Sequence, residues 1–266
     1  MAQAPDLNAI TTDLAAEHEE LDLLVAALDD AGWDTQTPAV GWAVRDQISH
    51  LAYFDGAATL ALTDPAEFFP ISQAVVNATE AGEDPMREHL VRGRAMEPSE
   101  LLVWWRNARR QLIDAAIVTD PAARVPWFGP AMSARSFLSA RIMEVWAHGQ
   151  DVADCLGVER RPTDRLRHVA HLGVGARAFS YAIRSLDLPA EPVRVELSSP
   201  HGELWEWGPN DSDGVVSGTA HDFCLVVTRR RHLSATSLVV RGERALEWME
   251  IAQSFAGPPG PERPAA

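Results

Sequence analysis

The hydrophobic residues of this 266-residue chain first change their period at Pro189-Ala-Glu-Pro192, and that change divides what the chain can fold into. Before it, apolar residues recur three and four positions apart, the spacing of an amphipathic helix. After it, Val193-Arg-Val195-Glu-Leu197 and Glu203-Leu-Trp205-Glu-Trp207 alternate, the spacing of a half-buried strand. A two-part fold follows: an α-helical part over residues 1–188, a small α+β part over 189–256, and a Pro/Gly-rich tail over 257–266 expected to be disordered.

Four long helices are expected in the first part. The first covers 6–30, with an apolar pattern at Leu7, Ile10, Leu14, Leu21, Leu24, Val25 and Leu28. The second covers 43–63, with Val44, Ile48, Leu51, Phe54 and Ala58 inward and Trp42 plugging its start. The third follows Ser99 as N-cap, carries Leu101, Leu102, Trp104, Trp105, Ala108, Leu112 and Ile113, and stops before Asp120-Pro121. The fourth starts near Ser133 and stops at Leu156-Gly157. Four such helices make a four-helix bundle the expected architecture. Residues 64–97, broken by Pro65, Pro70, Gly82, Pro85 and Gly93, are expected to be an irregular excursion of short helical pieces between core helices and a candidate lid. The loop Val125-Pro-Trp127-Phe128-Gly-Pro130 can line a pocket or close a core. A fifth helix is expected over 163–186; its His168 and His171 have no third partner in sight and are taken as packing or surface residues. Beyond the turn at 189–192, strands are expected over 193–197, 203–207, 215–219 and 237–241, with helices over 220–228 and 243–255.

Composition excludes several functions. A formal charge of -15 gives no basic footprint for phosphates, so no nucleic acid is expected as a partner. All 23 basic residues are arginine, which removes Schiff-base chemistry on lysine and a P-loop lysine together. Cys155 and Cys224 are the only cysteines and fit neither a disulfide framework nor a thiolate metal site. No apolar run of about 18 residues and no signal-like segment is visible, so neither a membrane span nor secretion is expected, and the protein is placed in the cytoplasm.

The fourth helix carries Arg141-Ile-Met-Glu144-Val-Trp-Ala-His148-Gly-Gln-Asp151. Residues four apart share a helical face, so Glu144 and His148 can hold one divalent ion between them. Such a spacing also arises by chance, and two ligands make a poor site. His50, in apolar company on the second helix, is the candidate third ligand, with Asp46 one turn earlier as the residue to orient it. One carboxylate and two imidazoles suit zinc or another divalent metal, and three protein ligands leave an open, catalytic position.

The stretch Gly41-Trp42-Ala-Val-Arg-Asp46-Gln-Ile-Ser-His50-Leu51, followed by Glu144-Val-Trp-Ala-His148-Gly-Gln-Asp151, resembles the mycothiol-dependent maleylpyruvate isomerase family of the DinB-like metal-binding superfamily. The resemblance spans nearly the whole chain, with Val216-Ser-Gly218 and Asp222-Phe-Cys-Leu-Val-Val-Thr-Arg-Arg230 in the second part. It implies a zinc-binding, DinB-like four-helix bundle joined to a small α+β domain similar to a sterol carrier protein. It places the metal ligands on His50, Glu144 and His148, and a catalytic arginine at or beside Arg230. It further implies a mycothiol-like thiol as cofactor and a small electrophile as substrate, with cis–trans isomerisation of a maleylpyruvate-type compound as the reaction. Thiol S-transfer, hydrolysis by activated water and a non-catalytic metal-binding module stay open as alternatives, as does the oligomeric state.

Overall fold

The structure is a computed structural model that describes residues 6–85 and 87–257. From residue 258 onward the expected tail lies outside the described residues. Contacts divide the chain into two units, Met1–Glu159 and Arg160–Ala266.

The first unit is helical. Helix α1 (Leu7–Val25) is shorter than expected, because the chain turns after Val25 and Asp29 caps a separate short helix α2 (Asp30–Trp33), its carboxylate accepting from Gly32 N at 2.8 Å. Helix α3 (Val44–Thr63) starts where Asp46 Oδ2 accepts from Ala43 N at 2.9 Å. The excursion that follows is more regular than its prolines imply. Helix α4 (Pro65–Glu80) runs through Pro70, whose missing N–H leaves only the carbonyl of exposed Ala66 facing solvent, and α5 (Arg87–Arg94) is a second, shorter helix. Helix α6 (Pro98–Val118) is capped at Glu97 rather than Ser99: Pro98 occupies the first helical position, where proline is preorganised, and Glu100 accepts from Glu97 N at 3.2 Å. A two-stranded hairpin, β1 (Arg124–Val125) with β2 (Met132–Ser133), precedes α7 (Ala134–Leu156), which begins at a Ser133 side-chain cap and ends on left-handed Gly157.

Helix α3 packs on α6 and α7, and α1 packs on the same two helices. Leu14, Leu21, Ile48, Leu51, Leu101, Trp105, Leu112, Leu138 and Ile142 are fully buried between them. A charged cluster is sealed into this apolar interior. Asp55 accepts from Arg141 Nη2 at 2.9 Å and pairs with His18 Nε2 at 3.0 Å, tying α3 to α7 and α1. Burial alone would raise the Asp55 carboxyl, but the His18 and Arg141 charges and hydrogen bonds hold it below its ordinary value.

In the second unit the expected fifth helix is two helices, α8 (Leu166–Gly175) and α9 (Arg177–Ala182). The contact boundary stands before them, ahead of the change of period at 189, because α8 belongs with the sheet. Trp207 Nε1 donates to His171 Nδ1 at 3.2 Å, and Gly173 lies so close to Val227 that a Cβ there would stand 2.7 Å from it. Strands β3 (Val193–Ser198), β4 (Leu204–Trp207) and β5 (Gly214–Thr219) are followed by α10 (Ala220–Val227), β6 (Val239–Arg241) and α11 (Glu243–Ile251). The sheet order is β4-β3-β5-β6, with β3 and β5 parallel and the outer pairs antiparallel. Val195, Leu197, Val216, Phe223, Val227 and Trp248 form its core. Among the described residues no helix is long and apolar enough to cross a membrane.

Candidate metal centre

The packing of α3 against α7 brings His50, Glu144 and His148 together, with one ligand atom from each lying within 4.8 Å of the others. Glu144 Oε2 is 3.3 Å from His148 Nε2, one helical turn away, and 3.8 Å from His50 Nε2. The second distance is too long for a hydrogen bond. For an ion with ligand distances of about 2.0–2.2 Å, the edge of a tetrahedron is about 3.4 Å. The donors are therefore spaced as ligands around one ion would be, and the set fits a divalent metal such as zinc. All three side chains keep some exposure, 24% for Glu144 and 12% for each histidine, so the cluster is reachable.

The protonation pattern follows from the neighbours. Burial pushes the His50 imidazole down to about 3, reinforced by His148 and only partly opposed by Glu144, so its ring is neutral at pH 7 and has a lone pair to give. Burial alone would raise the Glu144 carboxyl, but the adjoining His148 and His50 imidazoles, together with the charge of Arg141 one turn earlier on α7, hold it well below the usual carboxylate range. Glu144 is thus an anion facing a neutral His50, a state that favours a cation between them.

Gln47 fixes the tautomer of His148. The Thr37 hydroxyl donates to Trp42 O at 2.8 Å, so it accepts from Gln47 Nε2 at 2.9 Å, which turns Gln47 Oε1 toward His148 Nδ1 at 2.5 Å. His148 therefore carries its proton on Nδ1 and presents the Nε2 lone pair to the cluster. Sequence reasoning did not nominate Gln47, although it lies three residues before His50 on the same helix. It nominated Asp46 to orient His50, and the structure corrects this. As the third residue of α3, Asp46 turns back to cap the helix and binds Arg94 at 2.8 and 3.1 Å.

Rings surround the trio. Trp42, expected as a plug, stacks on His148 with centroids 5.9 Å apart and planes at 16°, and stands 5.3 Å from His50. Phe54, one turn after His50, is 4.5 Å from it. His89 of α5 lies 5.5 Å from His50, and burial pushes its imidazole down to about 4, against the pull of Asp84 and Asp46. The loop at 125–130 closes this region, Phe128 lying against Phe54 and Trp127 stacking on buried Phe68 at 5.6 Å. Arg230 belongs to the second unit. It follows the left-handed Arg229 at the end of α10, and its Nη1 donates to Thr228 O at 2.7 Å.

A helical unit with an imidazole–carboxylate–imidazole cluster between two packed helices, followed by a small mixed-sheet unit, defines the class of protein. The sequence matches the mycothiol maleylpyruvate isomerase N-terminal domain over residues 14–153, and the chain belongs to that family. Residues 189–241 match a second family, described as wyosine base formation. Two Mycobacterium tuberculosis sequences, the uncharacterized proteins MT0041 and Rv0036c, are each 45% identical over 255 residues, covering 96% of this chain and 98% of the relative. The fold is shared with two crystal structures of the mycothiol-dependent maleylpyruvate isomerase, one of them a histidine-to-alanine variant. Each has a TM-score of 0.56 at 18% identity; one covers 89% of this chain and 93% of its own, the other 85% and 90%.

Proposed function

We propose that this protein is a metal- and thiol-dependent enzyme of the cytoplasm, built on a DinB-like four-helix bundle of α1, α3, α6 and α7 with a sterol-carrier-protein-like second domain. In this reading His50, Glu144 and His148 hold a divalent ion, zinc or a similar metal, and a mycothiol-like thiol is the cofactor. The observation that carries the reading is the convergence of two imidazole nitrogens and one carboxylate oxygen at ligand spacing, with His148 held by Gln47 in the metal-binding tautomer.

A divalent ion bound there supplies positive charge that depresses the pKa of a thiol, making thiolate available at neutral pH. The side chains do the rest. His50 and His148 present Nε2 lone pairs, and Glu144 contributes one negative charge. Trp42 and Phe54 give the cluster apolar neighbours, which strengthen electrostatic interactions there. Arg230 neutralises a substrate carboxylate or the charge that develops on it. The reaction is cis–trans isomerisation of a maleylpyruvate-type compound. A thiol held beside the cluster would supply a nucleophile for reversible addition to the alkene, the chemistry that permits rotation about the former double bond and regenerates the thiol.

The ring-lined surroundings favour one second reading on the same chemistry, thiol S-transfer to a less polar electrophile. Maleylpyruvate absorbance followed with and without mycothiol tests the proposal. Isomerisation that requires both thiol and metal supports it. Conjugate formation with other electrophiles, without isomerisation, moves it to the transferase, and no thiol dependence with any electrophile leaves a metal-binding module.

A further inference from the structure

The stretch between α3 and α6 carries no recognisable motif, yet one of its helices is bolted to the start of α3. A Cβ built on Gly93 of α5 would stand 2.3 Å from Ser49 Oγ, so only glycine allows this approach. The same Ser49 hydroxyl donates to His89 O at 2.6 Å. Arg94 binds Asp46 through two nitrogens, and Arg45 donates to Arg94 O at 3.2 Å. These contacts engage residues 45–49, immediately before His50, and fix the register of α5 on α3.

The side chain that this register sets beside the cluster is His89. Its ring is 5.5 Å from that of His50 and stacks on Tyr53 at 4.6 Å and 13°. It is 2% exposed, and its Nε2 is buried without a hydrogen-bond partner. A buried polar group left unpaired costs about 1–3 kcal/mol, and native proteins keep few of them. Other buried side-chain atoms lack a partner too, among them His50 Nδ1 on the cluster itself and His18 Nδ1, whose ring is tied to Asp55 and packs edge-on against Trp105 in the helical core. His89 borders the cluster.

We propose that His89 is a thiol-binding residue, donating a hydrogen bond from Nε2 to the sulfur of a thiol cofactor bound at the cluster. This rests on His50, Glu144 and His148 being metal ligands. A neutral imidazole offers one N–H donor, and the Tyr53 and Phe54 rings packed on His89 keep its surroundings apolar, which strengthens a hydrogen bond to an anionic acceptor.

The test uses full-length, Co²⁺-loaded protein titrated with mycothiol, read by calorimetry and by thiolate-to-cobalt charge-transfer absorption. His89→Phe removes the donor and keeps a flat ring against Tyr53. It is expected to bind Co²⁺ at wild-type stoichiometry, to bind mycothiol roughly 10- to 100-fold more weakly, and to shift the band to longer wavelength, because the sulfur lone pair has lost its hydrogen bond. His89→Gln, which retains a donor, is expected to recover most of the affinity. His89→Leu takes the place of His89→Phe if the latter loses its helical circular dichroism. Wild-type affinity and an unmoved band in the donorless variant overturn the proposal and leave the metal site standing, as does a Co²⁺-loaded wild type that gives no thiol band. A wild type that binds no Co²⁺ at all overturns the metal reading beneath it.

Discussion

Removing the oxygen of Gln47 tests whether the polar chain behind His148 tunes the cluster. Gln47 is fully buried, and its amide joins Thr37 on one side to His148 Nδ1 on the other. Gln47→Leu is one atom shorter but of similar bulk, and it removes both bonds. His148 then has no acceptor to hold its proton on Nδ1, so the tautomer with Nε2 protonated, which cannot bind metal, becomes competitive. Outer hydrogen bonds of this kind are worth about 10- to 100-fold in metal affinity, or about 1.4 to 2.8 kcal/mol. The assay is competition for Zn²⁺ against a chromophoric chelator, with circular dichroism to show that α3 and α7 persist. We expect an affinity lowered within that range at unchanged stoichiometry. Gln47→Glu is expected to tighten binding, because a carboxylate beside Nδ1 raises the basicity of the ring. Gln47→Leu with wild-type affinity would refute the tautomer reasoning.

Asp55→Asn should destabilise the protein by about 3–5 kcal/mol in urea unfolding, since it leaves the buried Arg141 guanidinium without its counter-charge. Because the folded Asp55 carboxyl titrates below its ordinary 3.8, its contribution is fully present above about pH 4 and is lost as the pH falls through the lowered value; the variant's stability should therefore be flatter with pH on the acid side. Gly93→Ala should cost about 1–3 kcal/mol by forcing α5 away from Ser49 and should speed amide exchange in α5; exchange and stability like the wild type would remove the close approach from the account. Arg230→Ala should lower turnover at least tenfold with metal content retained, and unchanged kinetics would take that arginine out of the mechanism.

What the sequence revealed followed from periodicity. The long helices carry enough buried turns for the 3.6-residue pattern to emerge, and the change at 189 marks where β3 and its neighbours begin. His50, Glu144 and His148 were legible because each sits on such a helix. The features that escaped have local or tertiary causes. Asp46 was misread because a carboxylate three residues into a helix can turn back to its start, and capping won. Pro70 was read as a break, although an exposed early turn tolerates proline. The role of Gln47 depends on Thr37 and Trp42, ten and five residues upstream, and glutamine alone carries no signal. The position of His89 comes from the contact of Gly93 with Ser49, between helices far apart in the chain, and an eight-residue helix is too short to show a period.

Metal content of the purified protein is the most direct test of the central claim. Elemental analysis should find about one divalent ion per chain in the wild type, and His50→Ala and His148→Ala should each purify folded and essentially free of it. A full equivalent retained in both variants would show that the ion, and with it the proposed chemistry, belongs elsewhere in the molecule.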